Sequence, residues 1–216
     1  MRWTTVVVVV ALAGTAVWAA EGKVRAIKFS KDDLGKVPTG WKAEQTGKGE
    51  GSVWKVVEDD TAPSKSGCVL AQTAKSPGGV FNLCVAEDTK YKDVELSVSF
   101  KAVAGESDQG GGFVWRYKDN NNYYICRMNP LEDNYRVYKV VAGKRTQLGG
   151  KEGLKVKVGE WHKLKVEVKG NQMEGYLDGN KEWEITDDTY KDAGKVGLWS
   201  KADAQSHFDE FKVETD

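Results

Sequence analysis

The chain has 216 residues, with 32 basic and 32 acidic side chains and a formal net charge of zero at pH 7. That balance offers no global field for nucleic acid or an anionic membrane surface, so any charge-based recognition has to be local. The length and a hydrophobic content of 40% suit one domain with a sizeable core.

The N-terminal stretch MRWTTVVVVVALAGTAVWAA carries Arg2, an apolar run from Val6 to about Ala13, and small residues ahead of a polar chain. This is the pattern of a secretory signal peptide. Its apolar core falls well short of the roughly 20 residues that a spanning helix needs. Cleavage after Ala19 places Val17 and Ala19 at the −3 and −1 positions, whereas cleavage after Ala20 would place Trp18 at −3. Residues 1–19 are thus expected to be removed from an exported protein, periplasmic or extracellular, with residues 20–216 forming one domain. No later stretch is apolar enough to span a bilayer.

Beyond the leader, no segment shows a 3.6-residue apolar period. Short runs with period two are separated by Gly, Asn, Asp and Pro, which is the pattern of strands and turns. In chain order the expected strands begin with Val24–Phe29, Trp54–Glu58, Cys68–Thr73, Val80–Val85 and Val94–Val103. Phe113–Lys118, Tyr123–Asn129, Tyr135–Val141 and Arg145–Leu148 follow. The last are Trp161–Lys169, Gln172–Leu177, Lys181–Ile185, Val196–Ser200 and His207–Val213. Many short strands without a βαβ rhythm predict an all-β antiparallel sandwich. Asp178-Gly179-Asn180 reads as a type I′-like turn.

Three cysteines follow the leader, an odd count for an exported chain. A hairpin centred on Ser76 would set Cys68 opposite Cys84, close enough for a disulfide. The alternative is two buried free thiols. Cys126 alternates with Tyr124 and Met128 and reads as a small core residue. His162 shares the parity of Leu164, Val166 and Val168 and reads as structural. With only two histidines, far apart, a histidine metal centre or a Ser-His-Asp triad has little support.

The stretch from Gly110 to Val141 stands out. It reads as three antiparallel strands, each with one arginine (Arg116, Arg127, Arg136) among Trp115, Tyr117, Tyr123, Tyr124, Tyr135 and Tyr138. If Tyr124, Cys126 and Met128 face the core, Tyr123, Ile125, Arg127 and Asn129 face outward. Arg116 is expected beside them, with Arg136 and Tyr138 extending the row. Trp199 alternates away from Val196, Leu198 and Ser200 and could join as a stacking platform. A plain solvated row of charges, with Glu132 or Glu95 as partners, is the alternative, and a register slip of one residue would reverse every side chain.

Several segments carry a family resemblance. They are Gly159-Glu-Trp-His-Lys-Leu-Lys-Val-Glu-Val, Tyr176-Leu-Asp-Gly, Ala193-Gly-Lys-Val-Gly-Leu-Trp and Phe208-Asp-Glu-Phe, with Pro38-Thr-Gly-Trp41 and Gly143-Lys-Arg-Thr-Gln147. Together they resemble the exported bacterial 3-keto-disaccharide hydrolase-like family. This family belongs to the concanavalin A-like jelly rolls, alongside glycoside hydrolase family 16-type and laminin G-like domains. The resemblance implies a jelly-roll sandwich of two antiparallel sheets, with a sugar groove on the concave face of one of them. In such a groove, guanidinium forks donate to hydroxyls and aromatic faces stack on pyranose C–H groups. The expected binding residues are Arg116, Tyr123, Arg127, Asn129, Arg136, Tyr138 and Trp199.

Catalysis is less legible. A retaining glycosidase needs two carboxylates roughly 5 Å apart, and family 16 presents them as Glu-x-Asp-x-Glu. The chain has no such pattern; Glu182-Trp-Glu184 is the nearest. The family name implies another route, in which the ketone of a 3-keto-glycoside acidifies the neighbouring C–H. Arg116 and Arg127 are then candidate enolate donors, and Tyr123 or Glu132 the proton-transfer group. Jelly rolls of this type often hold a structural Ca²⁺, which makes Asp209 a candidate ligand, with a local capping role as the alternative. The expectation is a carbohydrate-recognising domain. A hydrolase or lyase acting on 3-keto-glycosides, or a laminin G-like adhesion module, is the alternative.

Overall fold

Alternating apolar and polar residues become strands wherever the sequence supplies a turn to end them. The computed structural model describes residues 23–215; the expected leader, residues 1–19, lies outside them. The first strands are β1 (Lys23–Ile27), β2 (Trp41–Thr46), β3 (Trp54–Glu58), β4 (Cys68–Gln72) and β5 (Phe81–Tyr91). Next come β6 (Val94–Ala104), β7 (Gly111–Asp119), β8 (Asn122–Asn129), β9 (Asn134–Val141) and β10 (Lys144–Glu152). The chain ends with β11 (His162–Lys169), β12 (Gln172–Leu177), β13 (Asn180–Thr186), β14 (Gly194–Lys201) and β15 (Gln205–Thr215). Among the described residues no helix is long and apolar enough to cross a membrane.

The strands form two antiparallel sheets. The first, sheet A, runs β13-β12-β11-β6-β15-β4-β3, with β1 also paired to β15. The second, sheet B, runs β10-β9-β8-β7-β14-β5-β2. This is the antiparallel sandwich that the strand pattern predicts, consistent with the jelly roll that the resemblance implies. Its turns follow from their residues. Asp178 and Gly179 both take positive φ (49° and 86°), as a type I′ turn between β12 and β13 demands. Ala142 and Gly143 do the same between β9 and β10, at 49° and 77°.

The main core lies between the sheets. From sheet B it takes Trp115, Tyr124, Cys126 and Met128, and from sheet A Leu96, Val98, Leu164, Val166, Phe208 and Phe211. Each large side chain so buried contributes about 1.5–3 kcal/mol. Trp41 meets Phe211 edge to face at 5.3 Å, and Trp115 stacks on Tyr124 at 5.7 Å. At Gly111 the sheets approach so closely that a Cβ would lie 2.3 Å from the Phe100 ring.

One expectation is corrected. Cys68 and Cys84 are free and buried, with no bridge between them. The segment after β4 does not close a hairpin; it carries the chain from sheet A to sheet B. Cys68 therefore pairs with Glu58, while Cys84 lies opposite Ala43 and Leu198. Asp209, the candidate calcium ligand, is engaged locally. Its Oδ2 accepts the Ser64 N–H at 2.9 Å and its Oδ1 the Glu210 N–H at 2.8 Å, so both oxygens face donors. Among the described residues no three His, Cys, Asp or Glu side chains gather as a metal site. Asp209 instead fastens the loop before β4 to the last strand.

Each histidine sets its Nδ1 against a carboxylate, while Nε2 of His162 is buried without a partner among the described residues. His162 Nδ1 lies 2.8 Å from Asp178, and His207 Nδ1 lies 2.7 Å from Asp59, which also pairs with Lys101.

Candidate functional site

The face of sheet B turned away from the main core carries its own apolar cluster. Tyr123 and Ile125 come from β8, Tyr138 and Val140 from β9, and Val114 and Tyr117 from β7. Trp199 of β14 and Phe81, Leu83 and Val85 of β5 complete it, so every member belongs to sheet B. Register explains the grouping: Tyr123 lies opposite Val140, and Ile125 opposite both Val114 and Tyr138. Tyr117 stacks on Tyr123 at 5.9 Å, and Phe81 lies 5.5 Å from Trp199. A sheet with apolar side chains on both faces departs from the usual alternation of a half-solvated antiparallel sheet.

Polar groups border this cluster. Arg127 lies opposite Arg136 across the β8–β9 pair. It is almost wholly buried, and it donates to Asn134 Oδ1, to Glu132 Oε2 at 2.7 Å and to the Tyr138 hydroxyl at 3.2 Å. Arg136 forks onto Glu152 at 2.7 and 3.0 Å and reaches Glu132 at 3.4 Å. Burial opposes ionisation of Glu132, but Arg127, Asn134 and Arg136 together outweigh it and hold the carboxyl below its ordinary range.

Asp108 anchors the neighbouring corner. Its Oδ1 accepts the Gly110 N–H at 2.8 Å and the Asn129 amide at 3.1 Å, while its Oδ2 meets Lys201 at 2.9 Å. Asp203 holds the approach to it, accepting the backbone N–H groups of Glu106, Ser107 and Asp108.

Arg145 of β10 is laid over the rings. Its guanidinium carbon lies 4.5 Å from the Tyr138 centroid, 5.0 Å from Phe81 and 5.7 Å from Trp199. Such contacts contribute about 0.5–2 kcal/mol each, most when desolvated. Burial pulls its basicity below the usual arginine value, and the charge of Arg127 acts in the same direction.

The structure thus brings Tyr123, Arg127, Asn129, Arg136, Tyr138 and Trp199 to one face or its border. Arg116 is elsewhere. A bulge between Val114 and Tyr117 gives β7 one residue more than the facing stretch of β14, and Arg116 takes a left-handed φ of 45° there. Its guanidinium turns to the end of the sandwich, where it donates to the carbonyls of Lys92 (3.1 and 3.0 Å), Tyr190 (2.6 Å) and Gly170. It joins three loops and lies apart from the arginine row. Tyr123 also differs from a free acid–base group. Thr46 donates to the Asn120 carbonyl, which leaves the Tyr123 hydroxyl to donate to Thr46 at 2.6 Å. Burial raises the pKa of that hydroxyl, and it stays protonated.

Sequence reasoning missed Arg145, Asp108 and Lys201. The register partner of Arg145 is Val140, whose outward parity was readable; the hairpin turn at Ala142-Gly143 would have carried that parity across. Asp108 and Lys201 meet only through the fold, from positions 93 residues apart.

Chemically, the face combines ring surfaces, fixed guanidinium donors and carboxylates at its border. The carboxylates of Glu132, Glu152 and Asp108 at this border are each paired with a cation.

Residues 31–214 match the profile of the 3-keto-α-glucoside-1,2-lyase-like domain. Among solved structures the chain is similar to the carbohydrate-binding module CBM66 from Bacillus subtilis. That match has 17% identity and a TM-score of 0.66, and it covers 82% of this chain and 96% of that one. A Bacillus subtilis protein of unknown function with a galectin-like fold matches at 10% identity and a TM-score of 0.56, over 88% and 97% of the two chains. The cellulose-induced protein Cip1 matches at 8% identity and a TM-score of 0.59, over 81% and 91%. At such identities these likenesses concern the fold alone. No curated protein matches the chain.

Proposed function

The chain belongs to the 3-keto-α-glucoside-1,2-lyase-like family, and from that premise we propose that it acts after export by recognising a glycoside on the outer face of sheet B. One observation carries this reading: Arg127 and Arg145 are held among the rings of Tyr138, Phe81 and Trp199 on a single face. Pyranose rings present C–H faces to aromatic rings and hydroxyls to guanidinium donors; this face carries both kinds of group, with Arg145 half-buried above rings that are themselves closed to solvent. The fold is one shared with a carbohydrate-binding module, but the reading rests on the side chains.

A second reading is elimination from a 3-keto-glycoside, favoured by the same guanidiniums beside the ionised Glu132. The C3 ketone acidifies the C2 proton; a carboxylate removes it, and the electrons of the C–H bond pass into an enolate whose oxygen an arginine can hold. Collapse of the enolate forms the C1–C2 double bond and expels the glycosidic oxygen, which takes up a proton. Glu132 is a weak base for this step because its arginine partners stabilise the carboxylate.

A glycan array paired with turnover assays on glycosides and 3-keto-disaccharides tests both readings. Recognition predicts saturable binding that falls at least about tenfold in Arg127→Gln, with the fold intact by circular dichroism. Elimination predicts, in addition, an unsaturated keto sugar and free aglycone. A protein that binds no glycan would overturn both and leave an adhesion module.

A further inference from the structure

Charge around the face does not balance. Three guanidiniums (Arg127, Arg136 and Arg145) meet two carboxylates, Glu132 and Glu152, and both carboxylates are taken up by the first two arginines. The acids that act on Arg145 electrostatically are Asp108 and Glu132, and each is bound to another cation. Arg145 therefore has rings beneath it and, among the described residues, no carboxylate. Its Nη1 is buried without a hydrogen-bond partner, and so is Nε of Arg127. A buried donor left unmade costs about 1–3 kcal/mol, more when charged, and these two are the charged donors that lack a partner among the described residues.

A neutral sugar hydroxyl would satisfy a donor but not the surplus charge. Resting on the glycoside reading above, we propose that the ligand carries an oxyanion, a carboxylate or sulfate on the sugar, and that Arg145, half-buried over the closed rings of Tyr138 and Trp199, receives it. A guanidinium suits this because it is planar, forked and weakly hydrated, so it can lie on aromatic rings and still present N–H groups along its edge. Arg145 is then a specificity-determining residue rather than a solubilising charge.

Binding of the full chain, and of the same chain starting at Ala20, is measured by calorimetry. The ligands are matched glucoside, glucuronide and glucoside 6-sulfate oligosaccharides, with free sulfate as a control. The expected result is at least a tenfold preference for one acidic series over the neutral one. Whether the uronic or the sulfated series leads identifies the oxyanion. The preference should shrink to within about twofold in Arg145→Gln, persist in part in Arg145→Lys, and weaken with added salt. The ligand comparison on the unaltered protein needs no variant to fold. Equal binding of acidic and neutral sugars overturns the oxyanion inference and leaves the glycoside reading in place. Absence of binding to every sugar overturns both, and binding of sulfate alone with no sugar preference also overturns the inference.

Discussion

The outer faces of the two sheets are built from the same alternation and have opposite chemistry. On sheet B the outward positions hold Tyr123, Ile125, Tyr138 and Trp199, with arginines set into their border. On sheet A they hold charge in rows. Glu214, Glu95, Glu167, Glu174 and Glu184 lie side by side across five strands. The next row holds Lys212, Ser97, Lys165, Tyr176 and Lys181. Like charges directly opposite one another are destabilising, and here the lysine row offsets them: Lys165 reaches Glu95 and Glu167, and Lys181 reaches Glu174 and Glu184. Burial, with Glu167 and Glu214 on either side, still pushes the Glu95 carboxyl up against the pull of Lys165. The lesson is that a charged row signals a site only when its partners run out. Sheet A pairs its charges in water, whereas sheet B leaves guanidinium nitrogens of Arg127 and Arg145 buried and unmet among the described residues.

The comparison breaks most visibly at the end of sheet B. Arg116→Ala removes the donor shared by three loop carbonyls, and we expect a loss of about 3 kcal/mol, read as a lower urea midpoint at unchanged slope. A change under about 0.5 kcal/mol would make Arg116 an ordinary surface charge. The second effect separates the faces by pH. Burial keeps His207 below its ordinary pKa, and nearby Lys101 adds to that, while Asp59 pulls the other way. A histidine depressed in the folded state takes up its proton more readily when unfolded. Its stabilisation is therefore present above the unfolded histidine pKa, about 6.5, and declines as pH falls toward the folded value. Melting temperature should slope downward from pH 7 to 5, and the slope should flatten in His207→Asn; an unchanged slope would assign it to other groups. The smallest effect sharpens the contrast. Glu167→Gln removes one member of the glutamate row and should shift stability by less than about 0.5 kcal/mol, at low or high salt.

How much of this was legible depended on whether local pattern survived folding. The parity of β8 was readable because Tyr124, Cys126 and Met128 alternate with Tyr123, Ile125 and Arg127 through seven unbroken pairings with β9. Trp199 was readable for the same reason. Arg116 was misplaced because one inserted residue at a bulge resets parity, and a bulge has no composition of its own beyond a tolerated left-handed φ. The Cys68–Cys84 pairing was misjudged because a chain that changes sheets and a hairpin present the same turn residues. β2 was missed because its middle is Lys-Ala-Glu-Gln, a polar run that becomes a strand only by pairing with the apolar β5.

The three free cysteines have a consequence for how this molecule can be watched. None contacts solvent, and burial pushes the Cys126 thiol up to about 12 and that of Cys84 higher still. A reagent that needs a thiolate cannot reach them while the sandwich is closed. They lie in β4, β5 and β8, on both sheets, so each records the opening of a different part of the core. The rates at which the three are alkylated in native buffer would show whether the two layers part together or one strand frays first, without any label being introduced.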